Sequence, residues 1–232
     1  MAASDADQFA AANKLYEQQR FDSAAVIYRS ILDQGVESPA LYFNLGNACF
    51  RAGDLGRAVL YYMRARRLDP GDPDITENLD FARRFTSIQM EGVKLNPISS
   101  LFESIVGPIH LNTLAWAASL CFILFFVMLT LRYGLAFRGA AVRAGVIVAF
   151  VLLVVTAGLT TVKYDMDFLT TRAVITADEC AVYTGPSDLS PKELDAAPGL
   201  VVEVLSESGD YYNVLFENKR RGWIRRDLAA VI

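Results

Sequence analysis

Two uncharged apolar runs constrain this chain more than any other feature. LNTLAWAASLCFILFFVMLTL (Leu111 to Leu131) has 21 residues, and AGVIVAFVLLVVTAGLTTV (Ala144 to Val162) has 19. At about 1.5 Å of rise per residue, the first run extends about 30 Å as a helix, the hydrocarbon thickness of a bilayer. Residues 132–143 between them carry Arg132, Arg138 and Arg143 and no acid. The pattern predicts two transmembrane helices, 111–131 and 144–162, joined by the loop 132–143.

The chain has 232 residues, 53% of them hydrophobic, and a mean hydropathy of +0.27. That excess sits in the two runs, which marks an integral membrane protein. About 110 residues precede the hairpin and about 70 follow it. Each flank has room for one small domain. A net charge of −4 with no basic patch argues against nucleic acid as a partner.

The segment 5–90 reads as helix and hides a repeat. Shifting the chain by 34 residues pairs Asn13 with Asn47, Ala24 with Ala58, Tyr28 with Tyr62, and Asn44-Leu45 with Asn78-Leu79. A 34-residue period of helix–turn–helix units is similar to the tetratricopeptide repeat. The clearest copy runs from Ala40 to Pro70. Gly46 and Ala58 are small where its two helices cross, and Tyr42, Leu45 and Tyr62 fill the seam. Asp54 caps the second helix after the Gly53 turn, and Pro70 ends it. The expected units are repeats at about 5–38 and 39–72 and a closing helix at 73–90.

The inner surface of such a stack presents Phe9, Asn13, Phe43, Asn44, Asn47, Phe50 and Asn78. Asparagines on a groove can hydrogen-bond both edges of an extended peptide backbone. Asn13, Phe43, Asn44, Asn47, Phe50 and Asn78 are therefore the candidate partner-binding residues. A second reading has Asn44 and Asn78 bonding only neighbouring helices. Phe9 and Asp74 stand where a carboxylate clamp would need basic residues, which argues against such a clamp.

Residues 91–110 form a connector containing Gly92, Pro97, Gly107 and Pro108 around the apolar patch ISSLFESIVG. It has two readings, an interfacial helix and a plain linker. An even number of spans puts both flanks on one side. The arginine loop places itself in the cytoplasm and both flanks outside, the periplasm of a bacterium. After Met1 the chain continues AASDADQF, with neither basic residues nor an apolar core. The expectation is that a signal peptide preceded this sequence and was cleaved.

From Arg172 the pattern changes to short alternating strands with turns at Gly185-Pro186, Pro198-Gly199, Ser208-Gly209 and Asn218. The spacing predicts a small all-β barrel over 172–232. Val182, Tyr183, Gly185, Pro186, Ser187, Gly199, Asp210 to Val214 and Gly222-Trp223-Ile224 resemble the pattern of bacterial SH3-like domains. In that family an arginine usually stands at the position of Tyr183 and a tryptophan at that of Tyr211. Tyr183, Tyr211 and Trp223 are the candidate binding face; Trp223 has a second reading as a plug of the barrel end.

Nothing points to catalysis. His110 is the sole histidine, too few for a metal cluster or a histidine-based triad. Cys49, Cys121 and Cys180 fall in three segments without ligand spacing. The glycines lie at turns, so no phosphate loop is formed. The expectation is a non-enzyme without cofactor or metal.

The whole order resembles the BatE family, the tetratricopeptide membrane proteins of the Bacteroides aerotolerance operon. The resemblance rests on Tyr42 to Ala48, Leu68 to Asp74, Asn78-Leu79 and the terminal Gly222-Trp223-Ile224. It implies an inner-membrane scaffold working with von Willebrand factor A-type membrane proteins and a MoxR-type AAA+ ATPase, in envelope integrity or stress tolerance. A different class of function, suggested by the SH3-like segment, is anchorage to peptidoglycan.

Overall fold

The structure, a computed structural model, describes residues 4–87, 105–135, 137 and 139–232. Most of the connector, the last three residues expected for the closing helix, and Arg138 of the arginine loop lie outside the described residues. Five helices come first: α1 (Asp5–Glu17), α2 (Phe21–Asp33), α3 (Pro39–Ala52), α4 (Leu55–Leu68) and α5 (Pro73–Ser87). Local chemistry sets their ends. Ser4 and Asp7 form a capping box on α1, and Ser38 caps α3 with Pro39 in its first turn. Gly53 takes the left-handed conformation at φ 88°, and the Asp54 carboxylate accepts from the Arg57 N–H at 3.0 Å. Asp72 caps α5 through the N–H groups of Asp74 and Ile75.

The helices stack pairwise around one core. Tyr28, Ile31, Leu41, Leu45, Ala58, Val59, Tyr62, Ile75 and Leu79 are all buried in it. Gly46 is the close approach the repeat requires: a Cβ there would lie 2.7 Å from Cδ1 of Tyr62.

Seven strands follow the membrane segment: β1 (Arg172–Ile175), β2 (Cys180–Tyr183), β3 (Lys192–Ala196), β4 (Val201–Ser208), β5 (Tyr211–Leu215), β6 (Arg221–Arg225) and β7 (Ala229–Val231). They pair antiparallel in the order β3-β2-β6-β5-β4-β1-β7. The sheet is therefore not closed into the expected barrel. Its two edges do not need each other. β3 (KELDA) exposes Lys192 and Glu193 along one edge, and β7 ends against the helices through Ala230 and Ile232. Alternation holds within the sheet: Ile175, Cys180, Val182, Val202, Tyr212, Val214 and Ile224 form its core.

The sheet and the helical stack form one compact unit. Val174 points away from the sheet core and is fully buried in the core of the stack, with Val201, Ala230 and Ile232 packed beside it. Arg83 of α5 pairs with Glu217 at 2.7 Å, and Arg64 of α4 donates to the Val231 carbonyl at 2.8 Å.

The hairpin is the second unit. It comprises α6 (Leu111–Leu129) and α7 (Ala140–Tyr164), each continued by a π-helical turn, Thr130–Gly134 and Asp165–Leu169. These turns carry Arg132 into helix, and α7 starts early enough to include Arg143. The two helices are long and apolar enough to cross a membrane, and only 6% of each apolar window is buried. A core helix of a soluble protein would be covered; here Leu120, Ile123, Ile147 and Val154 are all exposed. Hydroxyls satisfy themselves internally, as Thr156 donates to Leu152 and Thr160 to Thr156. Gly145 and the buried Ala149 face the sister helix; a Cβ on Gly145 would lie 3.1 Å from Met128 Sδ. Lys163 is buried at the far end of α7, donating to the Gly107 carbonyl at 3.1 Å and pairing with Asp167 at 3.2 Å.

Candidate partner-binding surfaces

The six candidate groove residues come from α1, α3 and α5, the first helix of each unit. The structure brings four of them together in two equivalent clusters. Asn13 Oδ1 accepts from the Tyr28 hydroxyl at 2.5 Å and from Asn44 Nδ2 at 3.3 Å. One repeat later, Asn47 Oδ1 accepts from the Tyr62 hydroxyl at 2.7 Å and from Asn78 Nδ2 at 2.9 Å. The asparagines are thus ladder rungs between successive helices, as the second reading had it. The Nδ2 atoms of Asn13 and Asn47 and the Oδ1 atoms of Asn44 and Asn78 have no partner among the described residues and are not buried. Each rung offers one donor and one acceptor, the pairing an extended backbone needs.

Burial and the nearby Tyr16 push the Tyr28 phenol up to about 12, and Tyr62 is raised further by the same two causes. Both phenols stay neutral donors at any working pH, so the ladder does not switch with pH.

Asn47, Phe50 and Asn78, with Tyr16, Arg51, Tyr62 and Phe81, line a cleft of about 190 Å³. That is smaller than the roughly 300–1,000 Å³ of a small-molecule site and suits single side chains of a longer ligand. Arg51 lies over the Phe21 ring at 4.6 Å. Phe43 packs its ring 6.0 Å from that of Tyr62, beside the Asn47 rung. Phe81 and Phe85, absent from the candidate set, are the largest addition. They are 49% and 46% exposed, and their rings lie 5.6 and 5.8 Å from that of Phe50. Their i, i+4 spacing, three residues beyond Asn78, is the signal that places them on the groove side of α5.

On the sheet, Tyr183, Tyr211 and Trp223 share the face opposite the core. Tyr183 is the cross-strand partner of Trp223, and its ring lies 6.4 Å from that of Tyr211. Trp223 is half-buried and stands outside the core cluster. The Tyr211 hydroxyl donates to Asp188 at 2.5 Å, which pushes the phenol up to about 12. Glycine is required at 222 because a Cβ would meet Val182 Cγ1 in the core.

Cys49 and Cys180 are buried, and burial pushes both thiols up to about 12. Among the described residues, no three His, Cys, Asp or Glu side chains come together as metal ligands.

The tetratricopeptide repeat family matches residues 9–73, which cover the first two helical pairs. No curated protein matches the chain. The repeats thus define a protein–protein interaction module, carried on a chain with two helices able to cross a membrane.

Proposed function

We propose that the protein is a non-catalytic membrane scaffold whose helical groove holds an extended segment of a partner protein. The observation that carries the reading is the groove. It combines two donor–acceptor asparagine rungs with the exposed Phe81 and Phe85, which pack on the partly buried Phe50. The hairpin mounts this groove at the bilayer. On the resemblance to the BatE family, the scaffold sits in a bacterial inner membrane with both soluble segments periplasmic and the connecting loop cytoplasmic. Its partners there are von Willebrand factor A-type membrane proteins working with a MoxR-type ATPase. Packing of the segments before and after the hairpin into one unit supports a same-side topology.

Co-purification from detergent-solubilised membranes tests the reading. Phe81→Ala with Phe85→Ala removes two half-exposed groove rings, and Asn44→Ala removes the donor of the first rung. Recovery of a von Willebrand-type partner is expected to fall about tenfold or more, in line with the loss of aromatic anchors. Undiminished recovery refutes the groove as the binding surface.

The second reading, an SH3-like anchor to peptidoglycan, draws on the shared outer face of Tyr183, Tyr211 and Trp223. Sedimentation of the full protein in detergent with purified cell wall tests it, with Trp223→Ala as the comparison. Equal sedimentation of the two proteins removes it.

A further inference from the structure

The residues that join the sheet to the helices carry an inference of their own. β1 contains the run Ala173-Val174-Ile175, in which all three side chains are fully buried. A strand with one wet face would alternate. This one is dry on both faces: Ala173 and Ile175 lie in the sheet core, and Val174 lies in the core of the stack. Backbone approaches are equally close. A Cβ on Gly56 of α4 would stand 2.8 Å from Thr176 Cα and 2.9 Å from the Ile175 carbonyl. Gly199, at φ +83°, brings its backbone to Thr86 Cγ2 of α5 and to Val59 of α4.

The repeat itself shows why α5 accepts a sheet. The 34-residue shift maps Leu41, Leu45 and Ala48 of α3 onto Ile75, Leu79 and Ala82 of α5, all buried against the preceding helices. It maps Gly46 and Cys49, which turn toward the second helix of their own unit, onto Asp80 and Arg83. α5 therefore keeps the face that looks back into the stack. It replaces the face that would receive another helix with charge, and Arg83 there is bonded to Glu217 of the sheet.

We propose that the sheet is the cap of the helical stack: residues 172–232 close the array at α4 and α5, in the role a terminal helix plays in other solenoids, and α5 and β1 hold their order only together. An array of repeats needs a terminal element with a polar outer side and an apolar inner one. Val174, Val201, Ala230 and Ile232 supply the inner side. The cap and the stack are separated in the chain by both spans, so the junction forms only after both helices are inserted and only when both flanks reach the same compartment.

Hydrogen exchange of the full protein in detergent micelles is the test. In Gly56→Val, the added carbon atoms collide with backbone that cannot rotate away. Amides of α5 and β1 are expected to exchange at least about tenfold faster, while those of α1 and α2 are unchanged. Wild-type rates in both α5 and β1 overturn the proposal. Glu217→Arg is the milder variant, for use if Gly56→Val does not accumulate. It is expected to speed exchange of α5 about threefold, and adding Arg83→Glu to restore it. A swap that restores nothing, or a Glu217→Arg without effect on α5, overturns the cap.

Discussion

Gly46→Ala tests the helix crossing on which the repeat depends. In an ordinary helix interior this change stabilises by about 1 kcal/mol, because alanine is the better helix former. Here the new Cβ would lie 2.7 and 2.8 Å from two ring carbons of Tyr62. That is about 1 Å inside the normal carbon–carbon separation of 3.5–4.0 Å. Tyr62 has no easy retreat. It is 2% exposed, its hydroxyl is tied to Asn47, and Phe43 packs against its ring. Overpacking of this kind costs about 3 kcal/mol at the upper end, which leaves a net loss of about 2 kcal/mol. Hydrogen exchange of α3 and α4 in the full protein should then rise about thirtyfold, since 1.4 kcal/mol is a factor of ten. In a Tyr62→Ala background the clash is gone, and the same substitution should stabilise by about 1 kcal/mol. A Gly46→Ala protein at least as stable as the wild type would refute the account of the crossing.

Three further outcomes follow from the same geometry. Asn47→Ala strands the hydroxyl of the buried Tyr62 and should cost about 1–3 kcal/mol, whereas Asn44→Ala removes only the donor of a part-buried rung and leaves Tyr28 bonded to Asn13, which should cost about 0.5–1 kcal/mol; a thermal melt of each in detergent ranks them, and the reverse order contradicts the ladder. In a Cys121→Ser background, neither Cys49 nor Cys180 should be alkylated in the native protein at neutral pH, because burial holds both thiols at about 12; labelling at the rate of an exposed thiol counts against their burial. The Tyr28 phenol, at about 12 when folded against about 10 when unfolded, contributes stability that is complete below pH 10 and lost as the pH rises through 12. Helicity should therefore fall between those values together with the rise of tyrosinate absorbance, and Tyr28→Phe should weaken that dependence; ionisation near pH 10 with the helices intact would argue the opposite.

What could be read from the chain was what repeats or alternates over short distances. The 34-residue shift is carried by pairs such as Tyr28 and Tyr62 that sit in like surroundings, and the apolar runs need no partner to declare themselves. Strand alternation located the sheet core. It gave no information on closure, because whether β3 meets β7 depends on what covers each edge, and Ala230 and Ile232 are covered by a helix more than 150 residues away. Val174 shows the same limit. Its neighbours in the run AVI read as an ordinary strand, and only the stack explains why no polar residue interrupts them. The asparagines form a periodic set in the sequence, yet the side-chain oxygens of Asn13 and Asn47 are committed to Tyr28 and Tyr62. The spacing of Phe81 and Phe85 puts them on one face of α5, but whether that face is exposed depends on which helix does not cover it.

α5 is where the two surfaces meet. Asn78 and Phe81 line the cleft, while Arg83 and Thr86, one turn on, lie under the sheet. If α5 is held from one side by the cap and from the other by a partner, the two must be coupled, because ordering the helix once serves both. Reciprocity then fixes what each does to the other. A partner bound at Asn78 and Phe81 should slow exchange of β1, which it does not touch, and the loosened junction of Glu217→Arg should weaken that partner's binding. Exchange measured on the full protein with and without the partner decides the matter: protection confined to α1, α3 and α5, with β1 unchanged, would mean that cap and groove act independently and that α5 is rigid in both states.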